Sequence, residues 1–172
     1  MKIPSLKQID LLRMAGLRPE SVGCIIRDGS VLITYIKKHN IWFFPQGGID
    51  NREDPIKALY REMTEELGKD LGKSLYGKPE LIYTDRIMFS GDAVGSRELK
   101  TDDGKKVLMG GKYYLFFIIQ SNIKDLKIDN TEFDKAVWVS KKKLSVVSKL
   151  ISDSSKRIQY IKVSKILEKY LR

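Results

Sequence analysis

Residues 47–68 have the sequence GGIDNREDPIKALYREMTEELG, and we expect the rest of the fold to form around them. Asp54 is a good N-cap and Pro55 a good first helical residue, because the fixed φ of proline suits that position. A helix is therefore predicted to begin near residue 55. On this helix Glu62, Glu65 and Glu66 share one face, since successive residues turn by about 100°. Another face is apolar and is predicted to be buried; it comprises Ile56, Leu59, Tyr60, Met63 and Leu67.

The three glutamates predict a metal site. Carboxylates at i, i+3 and i+4 of a helix repel one another unless a cation lies between them, and hard oxygen ligands suit Mg²⁺ or Mn²⁺. Mg²⁺ usually takes further ligands from water and substrate phosphates, which indicates phosphoanhydride chemistry. Glu53 is the expected ion-pair partner of Arg61, and Gly47 and Gly48 allow the backbone to approach a metal closely. The alternative is a solvated acidic helix face.

The spacing of these residues is similar to the signature of the Nudix hydrolase family. The matching positions are Gly47, Glu53, Arg61, Glu62, Met63, Glu65, Glu66 and Gly68. Lys69 and Arg52 depart from the common pattern at positions that are not expected ligands. The resemblance implies a Nudix-type α/β/α sandwich with a mixed β-sheet between helices, which the order of predicted strands and helices also fits. It further implies that Glu62, Glu65, Glu66 and the Gly47 carbonyl hold two or three Mg²⁺ or Mn²⁺ ions, and that Glu53 pairs with Arg61.

The flanking segments resemble one branch of that family, the RNA pyrophosphohydrolases and the dinucleoside polyphosphate hydrolases. The similar segments are WFFPQGGID at 42–50, LRP at 17–19 with Val22-Gly23, EFD at 132–134 and WVS at 138–140. This resemblance implies an RNA 5′-pyrophosphohydrolase, or alternatively a diadenosine tetraphosphate hydrolase. A non-catalytic Nudix-fold RNA-binding module is a further alternative. Such a module is expected to lack some metal carboxylates, which this chain retains.

The same resemblance implies a set of substrate contacts. Arg18 would contact the terminal phosphates, with a surface arginine before a proline as the alternative. Lys112 would face a phosphate, and Tyr113 or the tyrosine after it would stack on a base, unless both pack in the core. Lys156 follows Ser155 in a segment that aligns with the Phe-Lys-Arg motif of the branch. Because Ser155 occupies the position of the stacking aromatic ring, base stacking there is lost or supplied by another residue.

Glu132 precedes the last predicted strand and is implied to be a fourth carboxylate that faces the metal or activates water. A solvated loop acid is the alternative. The candidate general bases that take a proton from the attacking water are therefore Glu62, Glu66 and Glu132.

The positive charge of the chain is concentrated near its C-terminus. The chain of 172 residues, which we expect to form a single domain over 1–172, has a net charge of +10. Residues 141–172 contribute ten lysines and arginines against only two acidic residues. We expect this basic C-terminal segment to be helical and to contact a polyanion such as an RNA backbone. A solvated face of terminal helices is the alternative.

The N-terminal extension, residues 1–16, lies outside the resemblance. Apolar residues recur at nearly helical spacing over 3–15 and stop at Gly16, which predicts a short amphipathic helix. The chain contains no apolar run long enough to span a bilayer and no signal-peptide pattern, so we expect a cytoplasmic protein without a membrane partner. Cys24 is the only cysteine and is expected in the core.

The remaining pattern predicts strands and loops. Strands are expected at 22–27 and 31–36, joined by a turn at 28–30, and again at 81–89 and 112–119. Loops are expected at 69–79 and at 90–111, where the length indicates a lid or a substrate loop.

Overall fold

A mixed sheet forms the centre of the molecule in the computed structural model, which describes residues 1–127, 133–151 and 153–171. The helices are α1 Leu6–Met14, α2 Pro55–Leu67, α3 Lys69–Ser74, α4 Lys141–Lys149 and α5 Ser154–Leu167. The strands are β1 Leu17–Arg27, β2 Ser30–Ile36, β3 Ile41–Phe43, β4 Gln46–Gly48, β5 Leu75–Met88, β6 Glu98–Lys100, β7 Lys106–Leu108, β8 Gly111–Ser121 and β9 Lys135–Ser140.

Strand β1 lies in the middle of the sheet. The strand order is β3-β2-β1-β8-β5, with β4 paired to β1 and β9 to β2. Strands β1 and β8 are parallel, and the other pairs are antiparallel. Val22, Cys24 and Ile25 are fully buried, as expected for a parallel pair covered on both faces. The helices α1 and α2 contact β1, α4 contacts β2 and β9, and α5 contacts β5. The predicted α/β/α sandwich with a mixed sheet is thereby confirmed.

Helix α2 begins where the sequence predicts. The Asp54 carboxylate accepts hydrogen bonds from the backbone N–H groups of Ile56 at 2.8 Å and Lys57 at 3.3 Å, and Pro55 is the first helical residue. Leu59, Met63 and Leu67 of the predicted apolar face are buried, while Ile56 and Tyr60 are half-buried. Burial of this face leaves the glutamates on the side that meets β4.

Helix α5 is fixed to the segment that leads into β4. The hydroxyl of Tyr160 accepts a hydrogen bond from the backbone N–H of Phe44 at 2.9 Å, and the two rings stack with centroids 4.9 Å apart. Since Tyr160 is fully buried, this contact sets the position of the first turn of α5, which contains Lys156.

The structure corrects two of the predicted loops. Residues 69–74 form α3, in which Leu71 is buried, and β5 already begins at Leu75. The glycine and proline at 77 and 79 lie where the pairing of β5 with β8 shifts register, so they mark an irregularity within a strand rather than a loop. Within 90–111, β6 and β7 form a separate two-stranded hairpin.

No helix in the described part of the chain is both long enough and apolar enough to cross a membrane.

Candidate active site

Arg61 lies at the centre of the site and contacts three glutamates. Its Nε and Nη2 donate hydrogen bonds to the two carboxylate oxygens of Glu53 at 2.9 and 2.8 Å, and Nη2 also donates to the carbonyl of Gly48 at 2.8 Å. Its Nη1 donates to Glu62 at 2.7 Å and to Glu65 at 3.2 Å. One guanidinium therefore joins the loop before α2 to two of the predicted metal ligands.

Two glycines at the end of β4 allow functional side chains to approach the backbone closely. A Cβ at Gly47 would overlap the carboxyl group of Glu62, and a Cβ at Gly48 would lie 2.6 Å from Nη2 of Arg18. Any other residue at either position would therefore displace a predicted metal ligand or a predicted phosphate contact. Arg18 is nevertheless close enough to Glu62 for its positive charge to oppose the rise in the pKa of the Glu62 carboxyl.

The helix glutamates differ in their environments. The side chain of Glu62 is 14% exposed and that of Glu65 is 61% exposed. Glu66 accepts a hydrogen bond from the backbone N–H of Gln46 at 3.2 Å. Burial raises the pKa of the Glu62 carboxyl, and the hydrogen bond and charge of Arg61 only partly oppose this. For Glu53, the hydrogen bond from Arg61 lowers the pKa.

The carboxylates are not assembled into a closed metal cluster. Within residues 1–127, 133–151 and 153–171, no three His, Cys, Asp or Glu side chains are arranged as a ready-made metal site. Instead, Glu62 and Glu65 share the positive charge of Arg61. The available donors are nevertheless hard oxygens on one helix face, and the Gly47 backbone lies directly against Glu62. This donor set suits a divalent cation that prefers oxygen ligands.

Glu20 is a site residue that the sequence interpretation missed. Its side chain is only 3% exposed and lies 2.6 Å from the ammonium group of Lys112 and 3.8 Å from Arg18. Its second oxygen accepts a hydrogen bond from the Gln46 side chain at 3.2 Å. A buried carboxylate requires such partners, because an unpaired buried charge is costly. A glutamate inside the apolar β1 segment was the signal available from the sequence.

A cavity of about 490 Å³ lies beside these charges. Its polar lining includes Lys112, Lys156, Asp153 and Ser155, and its apolar lining comes from the end of β5 and from Ala93. Burial lowers the pKa of the Lys156 ammonium, and the neighbouring charge of Lys112 lowers it further. The cavity therefore combines two cations with an apolar wall.

The structure places Tyr114, rather than Tyr113, in the wall of this cavity. Successive residues of a strand point to opposite faces of the sheet, so Tyr114 shares a face with Lys112 while Tyr113 does not. The side chain of Tyr114 is buried, and Tyr113 packs half-buried against the core. The substrate contact predicted for Tyr113 is therefore not at this cavity, and Tyr114 occupies the corresponding place in its wall.

The remaining predicted residues divide into two groups. Glu132 lies outside the described residues. Arg18 and Lys112 lie on either side of Glu20, and Lys156 lines the cavity together with Lys112, while Glu62, Glu65 and Glu66 lie on α2.

Comparison with known proteins identifies the family. Residues 17–160 match the NUDIX domain model. The RNA pyrophosphohydrolase of Campylobacter jejuni subsp. doylei is 34% identical over 129 residues, which cover 75% of this chain and 74% of that protein.

Two solved structures share the fold. The E. coli dihydroneopterin triphosphate pyrophosphohydrolase superposes with a TM-score of 0.59 at 17% identity and covers 86% of this chain and 95% of its own. A binary complex of the C. elegans Ap4A hydrolase gives a TM-score of 0.56 at 16% identity, covering 88% and 98%. The chain belongs to the Nudix family and is a hydrolase that acts on pyrophosphate bonds.

Proposed function

We propose that this hydrolase removes pyrophosphate or phosphate from the 5′ end of triphosphorylated RNA. The observation that carries the proposal is the grouping of three cations, Arg18, Lys112 and Lys156, around Glu20 and the adjoining cavity, with Arg18 close enough to α2 for its charge to act on Glu62. A 5′-triphosphate presents several adjacent negative charges, which cations in fixed positions bind and orient. The similarity to an RNA pyrophosphohydrolase over 75% of the chain supports the same substrate.

The helix glutamates supply the chemistry at the other side of the site. Nudix hydrolases use divalent metal ions, and in this chain Glu62, Glu65, Glu66 and the Gly47 carbonyl would hold two or three Mg²⁺ or Mn²⁺ ions. When bound, such ions neutralise phosphate oxygens and lower the pKa of a bound water. Arg61, which neutralises Glu62 and Glu65 here, remains tied to the loop through Glu53 and Gly48.

The proton of the attacking water passes to a carboxylate. Glu62, Glu66 and Glu132 are the candidates. Glu62 is partly buried, and burial raises its pKa toward the pH at which the enzyme works. A general base is most effective when its pKa lies near that pH.

The cations orient the phosphates, and the cavity accepts the first base. Glu20 holds Lys112 and Arg18 on two neighbouring strands, so that the distance between the two cations is fixed. Met88 and its neighbours at the end of β5 give the base an apolar surface in place of the aromatic ring that Ser155 does not supply.

The basic C-terminal segment, residues 141–172, would contact the RNA backbone beyond the first nucleotides. Lys141, Lys142 and Lys143 lie exposed at the start of α4. Clustered exposed lysines attract a polyanion over long range, with an affinity that falls as salt rises. A cytoplasmic location belongs to the same proposal, because the similar RNA pyrophosphohydrolase comes from a bacterium, in which RNA is made in the cytoplasm.

One observation favours diadenosine tetraphosphate as the second candidate substrate. Ser155 lines the cavity where a stacking ring would recognise the first base of RNA, and a dinucleoside polyphosphate does not require that contact. The same cations would then bind its bridging phosphates.

A side-by-side hydrolysis assay separates the two substrates. A short 5′-triphosphorylated RNA and diadenosine tetraphosphate are incubated with the enzyme in Mg²⁺ and, as a control, in EDTA. Faster Mg²⁺-dependent release of pyrophosphate or phosphate from the RNA supports the proposal. Faster cleavage of the dinucleotide contradicts it and supports the second candidate.

A further inference from the structure

Helix α1 lies before the part of the chain that matches the family model. It nevertheless contacts residues 49–54, the loop between β4 and α2, which we call the catalytic loop. Arg13 on α1 is buried, with a side chain only 4% exposed. Its Nη2 donates hydrogen bonds to the carbonyl of Ile49 at 2.9 Å and to the carbonyl of Asp50 at 2.7 Å. These carbonyls directly follow Gly48 in the loop that leads to α2. One side chain of the N-terminal extension thus donates hydrogen bonds to two consecutive carbonyl groups of this loop.

The β6–β7 hairpin is also hydrogen-bonded to this loop, through Asp102. The carboxylate of Asp102 accepts hydrogen bonds from Nη1 of Arg13 at 3.3 Å, from the side chain of Asn51 at 3.0 Å and from the backbone N–H of Arg52 at 3.1 Å. The backbone N–H of Asp102 in turn donates to Asp10 of α1 at 2.8 Å. Asp102 therefore joins α1, the hairpin and the loop at one point.

The loop needs such support because Arg52 has a φ of +58°. A residue with a Cβ is disfavoured in this left-handed region. The hydrogen bonds from its backbone N–H and side chain to Asp102 offset that preference.

A continuous series of hydrogen bonds connects Arg13 to the reactive side of the site. The backbone N–H of Asp50 donates to Glu53 at 2.8 Å, Glu53 binds Arg61, and Arg61 donates to Glu62 at 2.7 Å. A shift of the loop at Ile49 or Asp50 would therefore move both the Gly47–Gly48 backbone and the guanidinium that contacts Glu62.

We infer that Arg13 and Asp102 are positioning residues for catalysis. Together, α1 and the β6–β7 hairpin form a brace, defined by Asp10, Arg13 and Asp102, that holds the catalytic loop against α2. The N-terminal extension is thus part of the catalytic apparatus, although it lies outside the family match. The inference requires only that the protein is a hydrolase using this loop, and it does not depend on which substrate is cleaved.

The test compares Asp102→Asn with Asp125→Asn, a matched control at an exposed aspartate outside the hairpin, because Asp103 itself accepts hydrogen bonds from Thr101 and Lys105 within the turn. Steady-state kinetics are measured with 5′-triphosphorylated RNA and, separately, with diadenosine tetraphosphate, at a temperature well below unfolding. For Asp102→Asn we expect kcat to fall about 10- to 100-fold, with KM within about twofold, because small misplacements of reacting groups cost this much. Asp125→Asn should retain wild-type kinetics.

Hydrogen exchange provides a second measurement that needs neither metal nor substrate. Peptides covering residues 47–54 should exchange faster in Asp102→Asn and in Arg13→Lys than in the wild-type protein. Their exchange should be unchanged in Asp125→Asn. Arg13→Lys keeps the charge, but one ammonium cannot reproduce the forked geometry of the guanidinium. Wild-type kcat and unchanged exchange in folded Asp102→Asn would overturn the inference, as would a reduced Tm accompanied by a wild-type kcat.

Discussion

The Glu20→Gln substitution tests whether one buried carboxylate organises the phosphate-binding side chains. Glutamine keeps the size of the side chain and removes its charge. Glu20 is almost fully buried and lies 2.6 Å from the ammonium of Lys112. Removing one partner of a buried ion pair costs about 3–5 kcal/mol. The Lys112 side chain is 24% exposed, so water can solvate its charge and offset part of this cost. We therefore expect the free energy of unfolding to fall by about 2–3 kcal/mol, in the range of a charged hydrogen bond.

Thermal unfolding measures the expected loss. In a protein of this size, each kcal/mol changes Tm by about 2–4 °C, so Glu20→Gln should lower Tm by about 4–12 °C. The matched control is Glu98→Gln, which removes an ion pair of similar length, 2.8 Å, between the exposed side chains of Glu98 and Lys106. Exposed pairs contribute little to stability, so this control should leave Tm unchanged.

The affinity for triphosphorylated RNA shows whether Glu20 orients the two cations or only reduces the positive charge of the site. Because Glu20 fixes Lys112 relative to Arg18, its removal should raise the Kd of 5′-triphosphorylated RNA, measured in EDTA, by about 5- to 30-fold, equivalent to 1–2 kcal/mol. If Glu20 merely reduced the positive charge of the site, the variant would bind the RNA more tightly. Tighter binding, or a Tm equal to that of the wild-type protein, would refute the reasoning.

Three further results are expected. The hydrogen bond from Arg61 lowers the pKa of Glu53 in the folded protein. The pair therefore stabilises the protein above the ordinary glutamate pKa, and this contribution is lost as the pH falls below it. The Tm difference between wild type and Glu53→Gln should accordingly shrink from about pH 7 to about pH 3. Gly47→Ala should reduce kcat about 100-fold while circular dichroism stays native, because the new methyl group displaces Glu62. Replacing lysines 141–143 with alanine should make RNA affinity less dependent on salt in binding titrations, and an unchanged slope would assign them to a solvated face.

The helix at the centre of the site was predictable because its determinants are local. Asp54 and Pro55 fix its start, and the spacing of Glu62, Glu65 and Glu66 fixes their common face. The family signature supplied the partner of Arg61, since Glu53 lies only eight residues earlier. The start of a helix and the residues that share its face can thus be inferred from local sequence, whereas the Glu53–Arg61 pair was also implied by the family resemblance.

Contacts between distant segments were not predictable in the same way. Arg13 meets Asp102 across 89 positions of sequence, and no spacing rule connects a residue of α1 to the tip of a hairpin. The alternation of β8 decided that Tyr114 rather than Tyr113 faces the cavity, but the direction of that alternation depends on strand register. Glu20 carried a signal, a charged residue within an apolar strand, yet its partners Lys112 and Gln46 come from two other strands.

The most direct test of the proposed activity is the Glu66→Gln variant with 5′-triphosphorylated RNA in Mg²⁺. Release of pyrophosphate or phosphate should fall about 100-fold or more, because the carboxylate is proposed to hold the metal and to take part in proton transfer. Asp70→Asn, at an exposed acid in the first turn of α3, should retain the wild-type rate. A Glu66→Gln enzyme that cleaves the RNA as fast as the wild type would contradict catalysis by the carboxylate face of α2.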